Sequence, residues 1–439
     1  MFGRLKSGIK ERFEAFHRFY WKKKWKIIHA ARRRGIDISL RIEPRVPTAG
    51  ITGSVGKTTT CRMVAAILRA QGHTVALATT QGTYIGEEVV RVGDSAGGEH
   101  ARRLLRDPRV EAGVFELARG GLIRDGMVLA WCDVGAALNI YDNHIGLDGV
   151  RCREDLARVK KIVVQNARHL AVLNADDPLC LAMREHVRAP RTCLVSMRPD
   201  NPAVLEHRAR NGLAVFLDDT GEQPSMQAWE GGECISRLES SSIPATYGGY
   251  YRPAVNNALF AAAVAYGMGI EWTAIWDALK GFTSSYETNP GLMNFFDGLP
   301  FRLLITRASS PQAMEELSHF VSQSPVRGKK HVMFCMVGDR PEGFLLDVAR
   351  SAAGPYDSYI CSDWDDLRGR RPGEVADILA RGLRQGGVSE PAVSVAATHD
   401  EALSMAFSRP RPGGMLVVVT LSQQKAWRMA EELSGSVGL

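Results

Sequence analysis

What most constrains this chain is an alternation. From residue 46 onward, short apolar runs alternate with helical patterns: "TAGIT" (48–52), a helical run closed by Gly72, then "TVALATT", "VEAGVFEL", "DVGAALNI" and "LAVLNAD". Helical stretches such as "REDLARVKKIVVQNARH" lie between several of them. Strands that read as continuous apolar runs and alternate with helices predict a mostly parallel sheet covered on both faces, an α/β fold. Residues 200–250 break the alternation; they are rich in Gly and Ser and are expected to form a small β insertion. Two helical patterns follow, "NNALFAAAVAYGMGI" and "EWTAIWDALKGF". After the linker-like "TSSYETNPGLMNFFDGLP" the alternation restarts with "FRLLIT", "HVMFCMVG", "YDSYICS", "AVSVAA" and "GMLVVVT". The expected organisation is a segment 1–45, a central domain 46–287 and a smaller C-terminal α/β domain 288–439.

At 439 residues the chain exceeds one ordinary core. No apolar run approaches the roughly 20 residues needed to span a bilayer. The eight cysteines are scattered without a C-x-x-C pair, a pattern that predicts reduced thiols and a cytoplasmic protein. Net charge is +7, but residues 1–34 hold 12 Lys/Arg and two Glu, so this segment carries +10 and the remainder −3. The body therefore lacks the charge footprint of a nucleic-acid binder. Phe2, Leu5, Ile9, Phe13, Phe16 and Tyr20 recur at three- and four-residue steps, which predicts a basic amphipathic helix. Such a helix either lies on the protein's own body or docks on an acidic partner protein or membrane surface.

Between the first strand and the first helix stands "GITGSVGKTTT", Gly50–Thr60. An ordinary phosphate loop is Gly, four residues, then Gly-Lys-Ser/Thr. Counted back from Gly56-Lys57-Thr58, its first glycine falls at Ile51; here the glycine is Gly53. The loop is shorter, but its strand–loop–helix context is that of a phosphate cradle, with backbone N–H groups and a helix N-terminus facing an anion. Gly53, Ser54, Val55, Gly56, Lys57, Thr58 and Thr59 are the expected nucleotide contacts. Lys57 neutralises phosphate and the Thr58 hydroxyl is a ligand for Mg2+.

The short form Thr-Gly-x-x-Gly-Lys-Thr resembles the loop of the Mur ligase superfamily. "FELARGGLIRDG", "LNIYDNHIGL", "EDLARVKK" and "VLNADDPL" follow in the order that superfamily shows. "SMRPDNP", "GDRPEG", "DLRGRRPGE" and "SRPRPGGMLVVV" make the chain look more specifically like the C-terminal, Mur-like module of cyanophycin synthetases, from about residue 48 to the end. Those enzymes carry an ATP-grasp module upstream, where this chain has the basic segment. The resemblance implies a P-loop-containing central domain, a Rossmann-like C-terminal domain and ATP-dependent amide-bond formation between a carboxylate and an amine. By the same resemblance Glu116 and His144 match ligands of a metal ion, and Lys160 matches a lysine that many members carbamylate, with Lys161 the alternative if the register slips by one. Asn257 matches an adenine contact. Read from the residues alone, Glu116 is equally a helix-capping carboxylate, His144 a loop histidine and Lys160 a solvated helix lysine. Arg119, Gly120 and Gly121, and the segment Thr79–Gly86, are either substrate contacts or plain turns.

The pattern fails at several positions, most of them toward the C-terminal domain. Where related ligases carry Asp-Tyr-Ala-His-Asn-Pro, this chain has Thr306-Arg307-Ala308-Ser309-Ser310-Pro311, and a nucleotide-closing arginine is replaced by Leu292. Asn143 and Ala254 replace a usual Asp and Asn. Arg307 is the expected replacement cation at the nucleotide. Two functions compete: an ATP- and Mg2+-dependent ligase, and a nucleotide-binding regulatory or partner-dependent protein that has lost efficient ligation.

Overall fold

The computed structural model describes Arg34, residues 41–142 and residues 145–436. The amphipathic helix expected over residues 1–34 lies outside the described residues, save Arg34. The chain divides into two units. The first runs up to Thr220 and takes in Met226–Arg237 and Ala258–Trp276; the second comprises Gly221–Ser225, Leu238–Asn257 and Asp277–Leu439.

The first unit is built on an eleven-stranded sheet. Its strands are β1 (Thr48–Thr52), β2 (Val75–Thr79), β3 (Gly82–Ile85), β4 (Glu88–Val92), β5 (Ala112–Glu116) and β6 (Cys132–Ala137), then β7 (Ala167–Asn174), β8 (Arg191–Ser196), β9 (Leu213–Asp218), β10 (Ser225–Glu230) and β11 (Glu233–Glu239). They lie in the order β11-β10-β9-β8-β7-β6-β1-β5-β2-β3-β4. From β9 through β2 every neighbouring pair is parallel, while β2–β3 and β3–β4 are antiparallel. β1 is buried along its whole length between β5 and β6, which is why it reads as an unbroken small and apolar run. Residues 213–239, within the expected β insertion, form β9–β11 and continue this same sheet.

Two local features position the site. The Lys57–Ala70 helix starts directly after the glycine loop and buries Cys61, Met63, Val64, Ala65, Ile67 and Leu68. The Arg153–Gln165 helix lies hard against β6, because a Cβ at Gly135 would meet the Val163 carbonyl oxygen at 2.6 Å. That approach brings the helix's inner face, with Leu156, Val159, Lys160 and Val163, onto the sheet.

The second unit holds a six-stranded sheet of β12 (Asn294–Phe296), β13 (Arg302–Thr306), β14 (Lys330–Met336), β15 (Ser358–Asp363), β16 (Val393–Val395) and β17 (Met415–Val419). The order is β12-β13-β17-β14-β15-β16, all parallel except the β12–β13 pair. Leu304, Val332, Phe334 and Val417 pack one face and Leu303, Ile305, Met333 and Val418 the other. Both faces are apolar, so both must be covered, as in doubly wound folds. No helix of the described residues is long and apolar enough to cross a membrane.

Candidate active site

Strand register assembles the site of the first unit. Ile51 stands opposite Glu116 on β5, and Thr52 opposite Ala137 on β6. Three adjacent strands thus deliver the glycine loop, Glu116 and the segment 138–141 to one carboxyl edge of the sheet, the usual ligand edge of such sheets. Gly56 takes the left-handed conformation, φ 85°, and caps the following helix with no side-chain hydrogen bond and no acidic residue in the first turn. The helix N-terminus is left electropositive and open to an anion.

Glu116 is the centre of the polar cluster. Only 1% exposed, it accepts hydrogen bonds from the Thr58 hydroxyl at 2.7 Å and from the Thr80 N–H at 3.1 Å. The Lys57 ammonium lies 3.8 Å from its other oxygen and donates to the Ser54 carbonyl at 3.1 Å. Glu116 ends β5 rather than capping a helix, and its partners are Thr58, Thr80 and Lys57. A carboxylate this deep is held by charge-assisted bonds, because an unpaired one would cost several kcal/mol.

Lys160, not Lys161, reaches this cluster. Its side chain is 2% exposed and its Nζ donates to the Gly53 carbonyl, whereas Lys161 is half-buried. Burial drives the Lys160 amine well below its ordinary range; the charges of Lys57 and Arg119 push the same way and Glu116 opposes them. The solvated-lysine alternative therefore does not describe it. Arg119 spends its guanidinium on the loop that follows residue 144, donating to the Leu147 carbonyl at 3.1 Å and pairing with Asp148 at 3.0 Å. His144, and Asn143 before it, lie outside the described residues.

Thr80 and Asn139 were not singled out from the sequence. Thr80 sits in the β2–β3 turn, so the Thr79–Gly86 segment touches the cluster through its N–H and through a 3.1 Å contact between the Thr80 and Thr58 hydroxyls. Arg62 grips the same hairpin, donating to Gln81 at 2.6 Å and to the Tyr84 hydroxyl at 2.8 Å. Asn139, 3% exposed, accepts from the N–H groups of both Ser54 and Val55 at 2.9 Å and donates to the Val55 carbonyl at 3.3 Å. Its only sequence signal is an asparagine directly after an apolar strand, which turns at many strand ends share.

The remaining expected contacts belong to the second unit. Asn257 is buried on the Arg252–Gly267 helix. Arg307 follows β13 and donates to the Gln423 side-chain oxygen at 3.0 Å. Asn294 knots the Pro290–Asn294 turn, accepting from the Gly291 N–H at 2.5 Å and donating to the carbonyls of Asn289 and Leu292 at 3.1 and 3.2 Å.

The open helix terminus, Lys57 and the glycine loop fit a nucleotide's phosphates. The Thr58 hydroxyl and Glu116 are hard oxygen donors of the kind Mg2+ takes. Among the described residues no three His, Cys, Asp or Glu side chains gather as a metal cluster.

The Mur ligase middle domain matches residues 51–265. Cyanophycin synthetase of Synechocystis sp. is 36% identical over 386 residues, 87% of this chain and 43% of its own. UDP-N-acetylmuramoyl-L-alanyl-D-glutamate–2,6-diaminopimelate ligase of Chlorobaculum tepidum is 24% identical over 378 residues, 82% of this chain and 70% of its own. The chain spans less than half the length of the cyanophycin synthetases it matches. In fold it is similar to a bifunctional folylpolyglutamate synthase/dihydrofolate synthase solved with Mn, AMPPNP and L-glutamate, with a TM-score of 0.64 at 19% identity over 89% of this chain and 90% of that one. It is also similar to MurF from Acinetobacter baumannii, with a TM-score of 0.62 at 19% identity over 92% and 79%. Residues 51–265, which begin on β1 and take in the glycine loop, Glu116 and Lys160, belong to the Mur ligase middle-domain family.

Proposed function

We propose that this chain is an ATP-dependent carbon–nitrogen ligase that joins a carboxylate to an amine, the amine being that of an amino acid. The observation that carries this reading is the buried Glu116–Thr58–Lys57 cluster at an uncapped helix N-terminus. A carboxylate oxygen attacks the γ-phosphorus of ATP, the bond to the β-phosphate oxygen breaks, and ADP leaves. The amine nitrogen then attacks the acyl carbon, loses a proton, and inorganic phosphate departs with the carboxylate's oxygen.

Each residue has a part in that sequence. Lys57 and the helix N-terminus hold the phosphates and lower the cost of gathering so many negative charges. Thr58, Glu116 and His144 would hold Mg2+, which supplies charge neutralisation at the transferring phosphoryl group. Lys160, its amine disfavoured as a charged group by burial, is the amine suited to carbamylation. Asn257 and Arg307 are further proposed nucleotide contacts, and the domain division at 287/288 and a cytoplasmic location are part of the same reading.

A second reading is a nucleotide-binding protein with weak or partner-dependent ligation. It is favoured by one observation: the run after β13 lacks the family's Asp, His and Asn, and Arg307 is engaged with Gln423. Phosphate release from ATP, measured against a panel of carboxylates and amines, separates the two. Release that needs both substrates and disappears in Lys57→Ala supports the ligase. Nucleotide binding with no release in any mixture supports the second reading.

A further inference from the structure

The glycine loop is two residues shorter than the ordinary phosphate loop, and something must fix its course. We propose that Asn139 is a positioning residue that does this: it splints the first half of the loop to the segment after β6, leaving the phosphates to the second half. The inference rests on the nucleotide reading of the loop.

The geometry is specific. Both N–H groups that an ordinary loop would turn toward a ligand here, those of Ser54 and Val55, point to the Asn139 side-chain oxygen at 2.9 Å. The Asn139 amide returns a bond to the Val55 carbonyl at 3.3 Å. Ser54 adds two links, its N–H to the Asn139 carbonyl at 2.9 Å and its hydroxyl oxygen accepting from the Tyr141 N–H at 2.9 Å. The donors left for phosphate are the N–H groups of Gly56, Lys57 and Thr58, which at a helix start have no intrahelical acceptor.

The splint is itself anchored from behind. Asn174 donates to the Leu138 carbonyl at 2.7 Å, the Ile140 N–H donates to Asp177 at 2.6 Å, and Arg153 donates twice to the Ile140 carbonyl, at 3.0 and 2.7 Å. Segment 138–141 is thus a fixed rail, and the loop is bolted to it.

The test is ADP affinity in the presence of Mg2+, with KM for ATP and kcat alongside, for wild type, Asn139→Leu and Asn139→Ala. Leucine keeps the volume and removes the bonds. Loss of two or three buried hydrogen bonds at the cradle weakens ADP binding and raises KM for ATP about 10- to 100-fold, while kcat at saturating ATP stays within a few fold. A residue that merely stabilises the fold would lower the melting temperature and leave ADP affinity and KM unchanged; that result overturns the proposal. If Asn139→Leu does not fold, Asn139→Ala, which removes the same three side-chain bonds, carries the test, with weakened ADP binding expected and unchanged binding overturning it. A wild type that binds no ADP removes the nucleotide reading itself and is distinguishable from failure of the splint alone.

Discussion

Replacing Lys160 by methionine should make the protein more stable and less active. The side chain is 2% exposed and its polar contact is to the Gly53 carbonyl. Its amine ordinarily titrates near 10.5, and burial lowers that value well below the usual range. Each pH unit by which burial lowers the amine below its free value counts against the folded chain at neutral pH by about 1.4 kcal/mol. Loss of the hydrogen bond gives back about 1–2 kcal/mol of that. A net gain of about 1–4 kcal/mol is expected, in line with other replacements of buried charge by apolar groups of similar volume.

The sign with pH follows. Between the lowered folded value and 10.5 the unfolded chain binds a proton that the folded chain refuses, so wild-type stability rises with pH across that window. The advantage of Lys160→Met should therefore shrink by up to about 1.4 kcal/mol per pH unit between pH 7 and 10. Urea unfolding of both proteins in bicarbonate-free buffer at four pH values measures it. Methionine that destabilises at pH 7, or a difference that does not change with pH, would refute the reasoning.

Three further substitutions probe the same site. Glu116→Gln keeps shape but removes the charge facing Lys57 and Thr58; kcat should fall by about 10²–10³, and the Mg2+ concentration for half-maximal rate should rise, read in a metal titration. Gly56→Ala forces a side chain into a left-handed residue with φ 85° and should cost about 1–2 kcal/mol in denaturant unfolding while weakening ADP binding. Arg119→Met releases the Leu147 and Asp148 contacts; it should raise the Mg2+ requirement several-fold with a smaller change in ADP affinity, measured by calorimetry with and without metal.

Much of this fold was legible in the residues because parallel, doubly covered strands read as continuous apolar runs. "TAGIT", "VEAGVFEL" and "GMLVVVT" became β1, β5 and β17 within a residue or two of their expected limits. The strand β9 was harder: its pairing with β8, Cys193 to Leu213, is a choice of neighbour that local sequence does not encode. At the site, Lys57 and Thr58 were legible because the loop's chemistry is contiguous. Glu116 and Lys160 needed the family pattern, since each lies at least 58 residues from its partner, Thr58 and Gly53. Asn139 was not found at all. Its partners lie 84 and 85 residues away, and a buried asparagine aimed at backbone amides leaves no periodic trace. Which of Lys160 and Lys161 faces inward depends on the rotation of the helix about its own axis, which buries Leu156, Val159, Lys160 and Val163 together.

The most direct test of the ligase account follows one oxygen atom. With a carboxylate substrate labelled with oxygen-18, the account predicts that one labelled oxygen appears in the inorganic phosphate for every amide bond formed, as required if the carboxylate itself accepts the phosphoryl group. Amide formation with unlabelled phosphate would contradict it.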